Sequence, residues 1–292
     1  MLYLHHYNMS EKPFQDTANP AYLWLGAKQL KAISILEHGI QKRKGLTLLT
    51  GDVGTGKTVL LNYLAETYRG QVLISRINNP DLDIPDFLNS LSDSFKLGAS
   101  FEDKVAFLSQ MILAGLNKKM ILIIIDEAHL LTRSLLEELS LLLKIKKQNE
   151  RMVNLILAGQ EPLLGFLDET DLAEINQEAP LKCHLEPLTR EESDQYIRHR
   201  LRVAGATRDI FTITALGKIY LCSGGIPRVI NNICDHALLI GYSKSLEIIN
   251  SAVIQECSQD FYFLMAANDP PANFAPMQAV SQAGQLWSDA RI

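Results

Sequence analysis

Short apolar runs alternate with longer helical patterns over the first two-thirds of the chain. The runs are Leu46–Thr50, Val72–Ile77, Met120–Asp126, Asn154–Gly159 and Cys183–Leu188. Strands that are apolar at consecutive positions are typical of a parallel sheet that helices cover on both faces. Because the segments between the runs carry apolar residues at the helical period, this region predicts an α/β fold.

Helical patterns surround these runs and replace them towards the carboxyl end. One helix is predicted over Gly26–Gln41 and a leucine-rich one over Ser134–Lys147. After Leu188 the sequence predicts only helices, beginning near Thr189, Ile213, Pro227 and Asn250. Thr189 and Glu192 have the spacing of a capping box, in which each residue satisfies an amide of the other. The change of pattern predicts a second, all-helical subdomain.

Four parts of the chain follow from these patterns. We expect an N-terminal segment over residues 1–45 that packs on the core, an α/β core over 46–188, a helical lid over 189–264 and a flexible tail over 265–292. The tail is predicted from composition, because the residues after Ala266 are rich in proline, alanine, glutamine and serine.

Charge and composition disfavour several classes of protein. Lysine and arginine total 28 against 33 aspartate and glutamate, and the net charge of -5 disfavours a dominant, nonspecific grip on DNA or anionic lipid. The four cysteines lack zinc-site spacing. No signal peptide is recognisable, and the most apolar run is far shorter than the roughly 20 residues that span a bilayer. We therefore expect a cytoplasmic protein.

A glycine-rich segment after the first apolar run, Gly51–Thr58, matches the pattern G-x-x-x-x-G-K-[ST] and precedes a helical pattern; we call it the phosphate loop. Its glycines let main-chain amides point at phosphate oxygens, and the helix that follows places its positive end there. We expect Lys57 to reach the β- and γ-phosphates of ATP and Thr58 to bind Mg²⁺. The residues expected to contact the nucleotide are Gly51, Asp52, Val53, Gly54, Thr55, Gly56, Lys57, Thr58 and Val59.

Two carboxylates follow the third apolar run directly. The carboxyl ends of parallel strands share one edge of a sheet, so we expect Asp126 and Glu127 to face the phosphate loop. Asp126 is then a Mg²⁺ ligand, and Glu127 is the base or orienting group for the attacking water. The alternative is a solvated strand end. For His129, a structural role and a coupling role both remain open.

Two further polar residues are candidates for sensing the nucleotide. Gln160 follows the fourth apolar run, where its amide can hold the attacking water or contact the γ-phosphate; a loop residue bonded to main chain is the alternative. Arg228 opens a lid helix after Gly224-Gly225-Ile226-Pro227. A permanently charged guanidinium there can reach the phosphates, whereas the alternative is an ordinary surface arginine.

With these residues, the chain resembles the secretion-associated AAA+ ATPases of the ExeA-like family, which includes the MshM-like proteins of pilus assembly. The opening residues 1–14 resemble the family's N-terminal signature. The other matching segments are Asn19–Leu23, Gly51–Thr58, Asp126–His129, Leu157–Leu163, Tyr196–Leu201, Ala204–Gly205 and Gly225–Asn231.

The resemblance implies a function and a set of roles. Walker A falls at Gly51–Thr58, Walker B at Asp126–Glu127, sensor 1 at Gln160 and sensor 2 at Arg228. It also implies a homo-oligomer with ATP at the subunit interfaces, and hydrolysis that drives assembly or remodelling of a secretion or pilus-type envelope machine. A protein partner in that machine and peripheral attachment at the inner membrane belong to the same expectation.

This sequence departs from the family in two respects. Longer members continue into a membrane segment and a peptidoglycan-binding domain, so we expect no contact with the cell wall here. The family usually carries an arginine where this chain has Glu178. If that arginine acts on the neighbouring subunit's phosphates, hydrolysis should be slow, because such fingers contribute about 10³–10⁵ in rate. Lys182 is the nearest substitute.

Two rival functions remain open. One is a DNA-associated AAA+ regulator of the transposition type, for which the basic segments Lys42–Lys44 and Lys144–Lys147 would line a DNA path. Helix-end or solvated charge is the alternative explanation of both segments. The other rival is a nucleotide switch that hydrolyses ATP weakly, motivated by Glu178.

Overall fold

A computed structural model describes residues 2–15, 20–78, 80–97, 107, 110, 120–147, 150–169 and 181–257. Its strands are β1 Leu46–Gly51, β2 Leu73–Ile77, β3 Ile121–Ile125, β4 Lys146–Lys147, β5 Glu150–Arg151, β6 Val153–Gly159 and β7 Leu181–Leu185. Its helices are α1 Leu2–His6, α2 Ala27–Gln41, α3 Lys57–Thr67, α4 Ile84–Phe95, α5 Arg133–Leu143, α6 Pro162–Glu169, α7 Arg190–Val203, α8 Ile213–Ser223, α9 Pro227–Ser243 and α10, residues 251–257.

The central sheet has five parallel strands in the order β2-β3-β6-β1-β7. Every residue of β1, β3 and β6 is buried, as the consecutive apolar runs predicted. Alternate side chains point to opposite faces, so Leu48 packs in one apolar cluster with α4–α6 and Leu49 packs in another with α2 and α3. The strand order places β6 between the first strand and β3.

The elements differ from their predicted bounds at two places. Helix α5 ends at Leu143, whereas the sequence predicted a helix to Lys147; the next residues pair as an antiparallel hairpin, β4–β5. The main-chain amide of Met152 donates to the carbonyl of Ile145, which replaces the helical bonding there. The last strand ends at Leu185 because Pro187 has no amide to continue the ladder.

The lid contains α7, α8, α9 and α10. Helix α7 begins with the predicted capping box: the Thr189 hydroxyl accepts from the Glu192 amide, and the Glu192 carboxylate accepts from the Thr189 amide. The next helices begin at Ile213 and Pro227, in agreement with the sequence. None of the described helices combines the length and apolar character that a bilayer crossing requires.

The N-terminal segment divides between the two parts of the molecule. Helix α2 packs against the sheet, but Tyr3, Tyr7 and Phe14 are buried in the apolar cluster of the lid. This differs from the expectation that the whole segment packs on the core. The buried Arg200 of α7 donates to the main-chain carbonyls of Pro13 and Gln15, so it holds the segment against the lid. The predicted tail at 265–292 lies outside the described residues.

Candidate functional site

The carboxyl edge of the sheet brings together residues that lie far apart in sequence. The phosphate loop follows β1, the acidic pair follows β3, and Gln160 follows β6. Because β6 separates the other two strands, Gln160 lies between the loop and the acidic pair. Three of the predicted groups therefore share one edge.

The phosphate loop has the backbone shape that its glycines allow. Gly54 and Gly56 have φ values of 82° and 104°, in the left-handed region that side chains other than glycine rarely adopt. The Thr55 hydroxyl donates to the carbonyl of Asp52 at 2.9 Å and closes the turn. Helix α3 begins directly after Gly56, so its first amides face the loop.

Lys57 is 5% exposed, and its ammonium donates to the carbonyls of Gly51 and Asp52 at 2.8 and 2.9 Å. An ammonium has three protons, so one remains for a further acceptor such as a phosphate oxygen. Burial lowers the pKa of Lys57 from its usual value, and the Arg228 guanidinium lowers it further. The carboxylates of Glu127 and Asp126 oppose that shift. The loop and its lysine therefore fit a polyphosphate.

Thr58 and Asp126 meet at the centre of this edge. The Thr58 hydroxyl donates to Asp126 Oδ2 at 2.7 Å, and Asp126 Oδ1 accepts from the Glu127 amide at 3.0 Å. Hydroxyl and carboxylate oxygens are hard ligands that suit Mg²⁺, which takes its remaining ligands from phosphate and water. In the described part of the chain, no three His, Cys, Asp or Glu side chains are grouped to hold a metal by themselves.

Arg76 of β2 is a member of the site that the sequence analysis missed. Its Nη2 lies 3.8 Å from Asp126 Oδ2, and its Nε is buried without a hydrogen-bond partner. Burial lowers the pKa of Arg76, and the charge of Asp126 opposes that shift. The available signal was a single charged residue in an otherwise uncharged strand, Leu73–Ile77. Arg76 adds a positive charge beside the expected metal ligand.

Glu127 and His129 lie in a tight turn after β3. The Glu127 backbone is left-handed, with φ 50° and ψ 37°, and residues Ala128–Leu130 form a 3-10 turn. Glu127 Oε2 lies 3.5 Å from His129 Nδ1, and His129 Nε2 lies 3.3 Å from Gln160 Nε2. The three side chains therefore form a row that joins the ends of β3 and β6.

Arg228 brings the lid to the phosphate loop. Its main-chain amide donates to the carbonyl of Gly54 at 3.2 Å, and its side chain is exposed. A methyl group added at Gly54 would lie 2.8 Å from Arg228 Cβ, so this glycine also permits the close approach of helix α9. Beside Arg228, residues of α9 together with Phe14 and Gln15 line a groove of about 490 Å³.

The remaining predicted residues are Val53, Val59, Glu178 and Lys182. Val53 lies within the loop and Val59 directly follows it, and both are about half exposed, at 51% and 49%. Glu178 lies outside the described residues. Lys182 is exposed and pairs with Leu48, whereas Gly51 at the loop end of β1 pairs with Leu185. Lys182 is therefore set back from the loop of its own chain.

Comparison with solved structures agrees with this architecture. Cdc6p from Pyrobaculum aerophilum superposes with a TM-score of 0.68 at 16% identity, over 84% of this chain and 71% of that one. The Thermotoga maritima RuvB Holliday junction branch migration motor gives a TM-score of 0.57 at 16% identity, over 86% and 73%. At these identities the likeness concerns the fold alone. The fold is that of the AAA+ P-loop proteins, as the sequence predicted.

Sequence comparison is more specific. A model of the AAA domain matches residues 40–167. General secretion pathway protein A of Aeromonas hydrophila is 35% identical over 248 residues, which cover 83% of this chain. The matched region is 45% of that relative, so the chain spans less than half of its length. The chain is thus an ExeA-like AAA+ protein, and the predicted family resemblance is confirmed.

Proposed function

We propose that this protein binds Mg·ATP at the phosphate loop and hydrolyses it. The observation that carries the proposal is the 2.7 Å hydrogen bond between Thr58 and Asp126, which joins the two motifs at one point. The buried ammonium of Lys57 lies beside them with a proton to spare. This combination supplies positive charge, main-chain amides and hard oxygen ligands at one place, as transfer of a phosphoryl group requires.

Each residue of the site has a role in this proposal. Lys57 and the loop amides hold the β- and γ-phosphates, and Thr58 with Asp126 holds Mg²⁺, which neutralises charge on the phosphates when bound. Glu127 accepts the proton of the attacking water, and Gln160 orients that water. Arg228 links the position of the lid to the phosphates, since its helix already contacts Gly54.

We further propose that ATP binding and hydrolysis drive assembly or remodelling of a secretion or pilus-type envelope machine. The support is the similarity to general secretion pathway protein A. In this proposal the chain forms a homo-oligomer with nucleotide at its interfaces and contacts a protein of that machine, at the inner membrane from the cytoplasmic side.

The proposed hydrolysis is tested at residue 178, where the family resemblance implies an arginine that acts on the neighbouring subunit's phosphates and this chain has glutamate. We expect slow steady-state turnover by the wild-type protein, and at least a tenfold increase in Glu178→Arg, because an arginine finger is worth about 10³–10⁵ in rate. Phosphate release measures turnover, and sedimentation with and without Mg·ATP measures assembly. Glu178→Gln is the control that removes negative charge without adding positive charge. Wild-type turnover near one per second would refute the assignment of slow hydrolysis to Glu178.

A second candidate function is that of a DNA-associated protein. It is favoured by basic residues at the opposite edge of the sheet from the phosphate loop. There the ion pair between Arg43 and Glu150, at 2.7 Å, joins the end of α2 to the hairpin β4–β5. Arg151 of the hairpin also donates to the carbonyl of Lys44 at 2.7 Å. The two basic segments of the sequence therefore form one surface, which we call the basal surface; its exposed lysines are Lys42, Lys44, Lys144 and Lys146.

Salt dependence distinguishes this candidate. If the basal surface binds DNA, the logarithm of the binding constant for a short duplex should fall linearly with the logarithm of the salt concentration. The slope should be about -3 to -4, since each neutralised phosphate contributes about -0.9. Replacing its four lysines by glutamate should abolish the binding measured by anisotropy, with or without ATP. Lys31→Glu, an exposed change on the other half of α2, is the control. If the wild-type protein shows no salt-dependent binding to the duplex, the DNA-associated function is excluded.

A further inference from the structure

His129 stands between the two residues that the proposed function places at the attacking water. One ring nitrogen, Nδ1, lies 3.5 Å from Glu127 Oε2, and the other, Nε2, lies 3.3 Å from the Gln160 amide nitrogen. Nδ1 is buried and has no hydrogen-bond partner. The distance to Glu127 is slightly too long for a good hydrogen bond, so a small movement of that carboxylate would complete it.

The surroundings decide which ring nitrogen carries the proton. A carboxylate only accepts hydrogen bonds, so the nitrogen that faces Glu127 must be the N–H donor. In a neutral imidazole, Nε2 is then an acceptor and accepts a hydrogen bond from the Gln160 amide group. This assignment gives both nitrogens a suitable partner, whereas the opposite tautomer places the lone pair of Nδ1 against the negative oxygen.

The backbone around His129 holds the ring in this place. A methyl group added at Gly159 would lie 3.2 Å from the His129 amide nitrogen and 3.5 Å from Nδ1, so the absence of a side chain there lets the turn lie against β6. The left-handed conformation of Glu127 begins this turn, and the Leu130 amide closes it by donating to the Glu127 carbonyl at 2.9 Å. His129 is 19% exposed at its side chain, which limits competition from water.

We propose that His129 is a positioning residue that couples Gln160 to Glu127. Its Nδ1–H orients the carboxylate, and its Nε2 binds the Gln160 amide. Movement of either side chain therefore shifts the imidazole ring and changes the position of the other side chain. When the Gln160 amide turns to orient the attacking water, the bond at Nε2 is lost and the ring is free to turn towards Glu127. The effect of His129 on catalysis rests on the proposed function. The assignment of the ring proton to Nδ1 does not, because it follows from the positions of Glu127 and Gln160.

Kinetics of three substitutions test the coupling. His129→Ala should lower kcat about tenfold and leave the Kd for Mg·ATP within about twofold, since neither ring nitrogen contacts the proposed nucleotide ligands. His129→Asn, whose amide can replace the Nδ1 donor, should retain more activity than His129→Gln. The double variant His129→Ala with Gln160→Ala should be no slower than the slower single variant. Equal losses in all three substitutions, or a weakened Kd, would show a structural role instead.

A measurement without turnover separates the two proposals. In protein labelled with ¹⁵N-histidine, the His129 ring should show its proton on Nδ1, with the signal assigned by its loss in His129→Ala. Glu127→Ala should weaken the preference for that tautomer, because only the Gln160 amide then favours it. A proton on Nε2 in the wild-type protein would overturn the positioning role even if ATP is hydrolysed. Wild-type protein that hydrolyses no ATP would instead contradict the proposed function and leave the tautomer result to decide the contact.

Discussion

Glu127→Gln is expected to lower ATP turnover by about 10²–10⁴, the usual contribution of a general base. Glutamine keeps the size of the side chain but cannot accept a proton from water at neutral pH. Affinity for Mg·ATP should stay within a few-fold, because the groups proposed to hold the nucleotide are Lys57, Thr58 and Asp126. Phosphate release gives kcat, and calorimetry gives Kd.

The control for this change is Glu161→Gln, which alters an exposed glutamate directly after Gln160 at the same edge of the sheet. It should leave both kcat and Kd close to wild type. Normal turnover in Glu127→Gln would remove Glu127 from the reaction and would leave Asp126 as the acidic group to consider. Loss of nucleotide binding would mean that Glu127 mainly balances the charge of Lys57, whose pKa it raises most among the neighbouring carboxylates.

The parts of the site that could be predicted are those in which one short segment supplies both the functional side chains and the residues that set its backbone conformation. The segment Gly51–Thr58 contains its own turn glycines, its lysine and its proposed metal ligand, so its spacing and its place between a strand and a helix were enough to predict the loop. The acidic pair was identified because a buried strand precedes it directly, and parallel strands end at a common edge. The position of Arg228 in the first turn of a helix was predictable for the same reason, since Gly224, Gly225 and Pro227 mark the start of that helix.

The parts that could not be predicted depend on which elements become neighbours. Arg76 contacts Asp126 only because β2 pairs with β3, and no local pattern states that pairing. The same holds for Tyr3 and Arg200, which join the beginning of the chain to the lid. The end of α5 was misjudged because the leucine spacing continues helically, while the competing bonds come from Met152, several residues further along the chain.

Lys57→Ala is expected to weaken Mg·ATP binding about 10–100-fold, because a hydrogen bond to a charged group is worth about 1.5–3 kcal/mol. The ammonium is buried and balances the carboxylates of Glu127, Asp126 and Asp52. Without it, three negative groups would face the anionic phosphates, so the loss should lie towards the larger figure. Calorimetry with Mg·ATP measures the change.

Folding must be separated from binding in this experiment, since Lys57 also donates to the carbonyls of Gly51 and Asp52. Lys57→Met preserves the length of the side chain and its packing while it removes the charge. If both variants unfold at the wild-type temperature and both lose affinity, the lost interaction is with the nucleotide. Lys31→Ala, on the exposed face of α2, should bind normally. Unchanged affinity in Lys57→Ala would contradict the nucleotide site itself, because the ammonium is the only full positive charge within the phosphate loop.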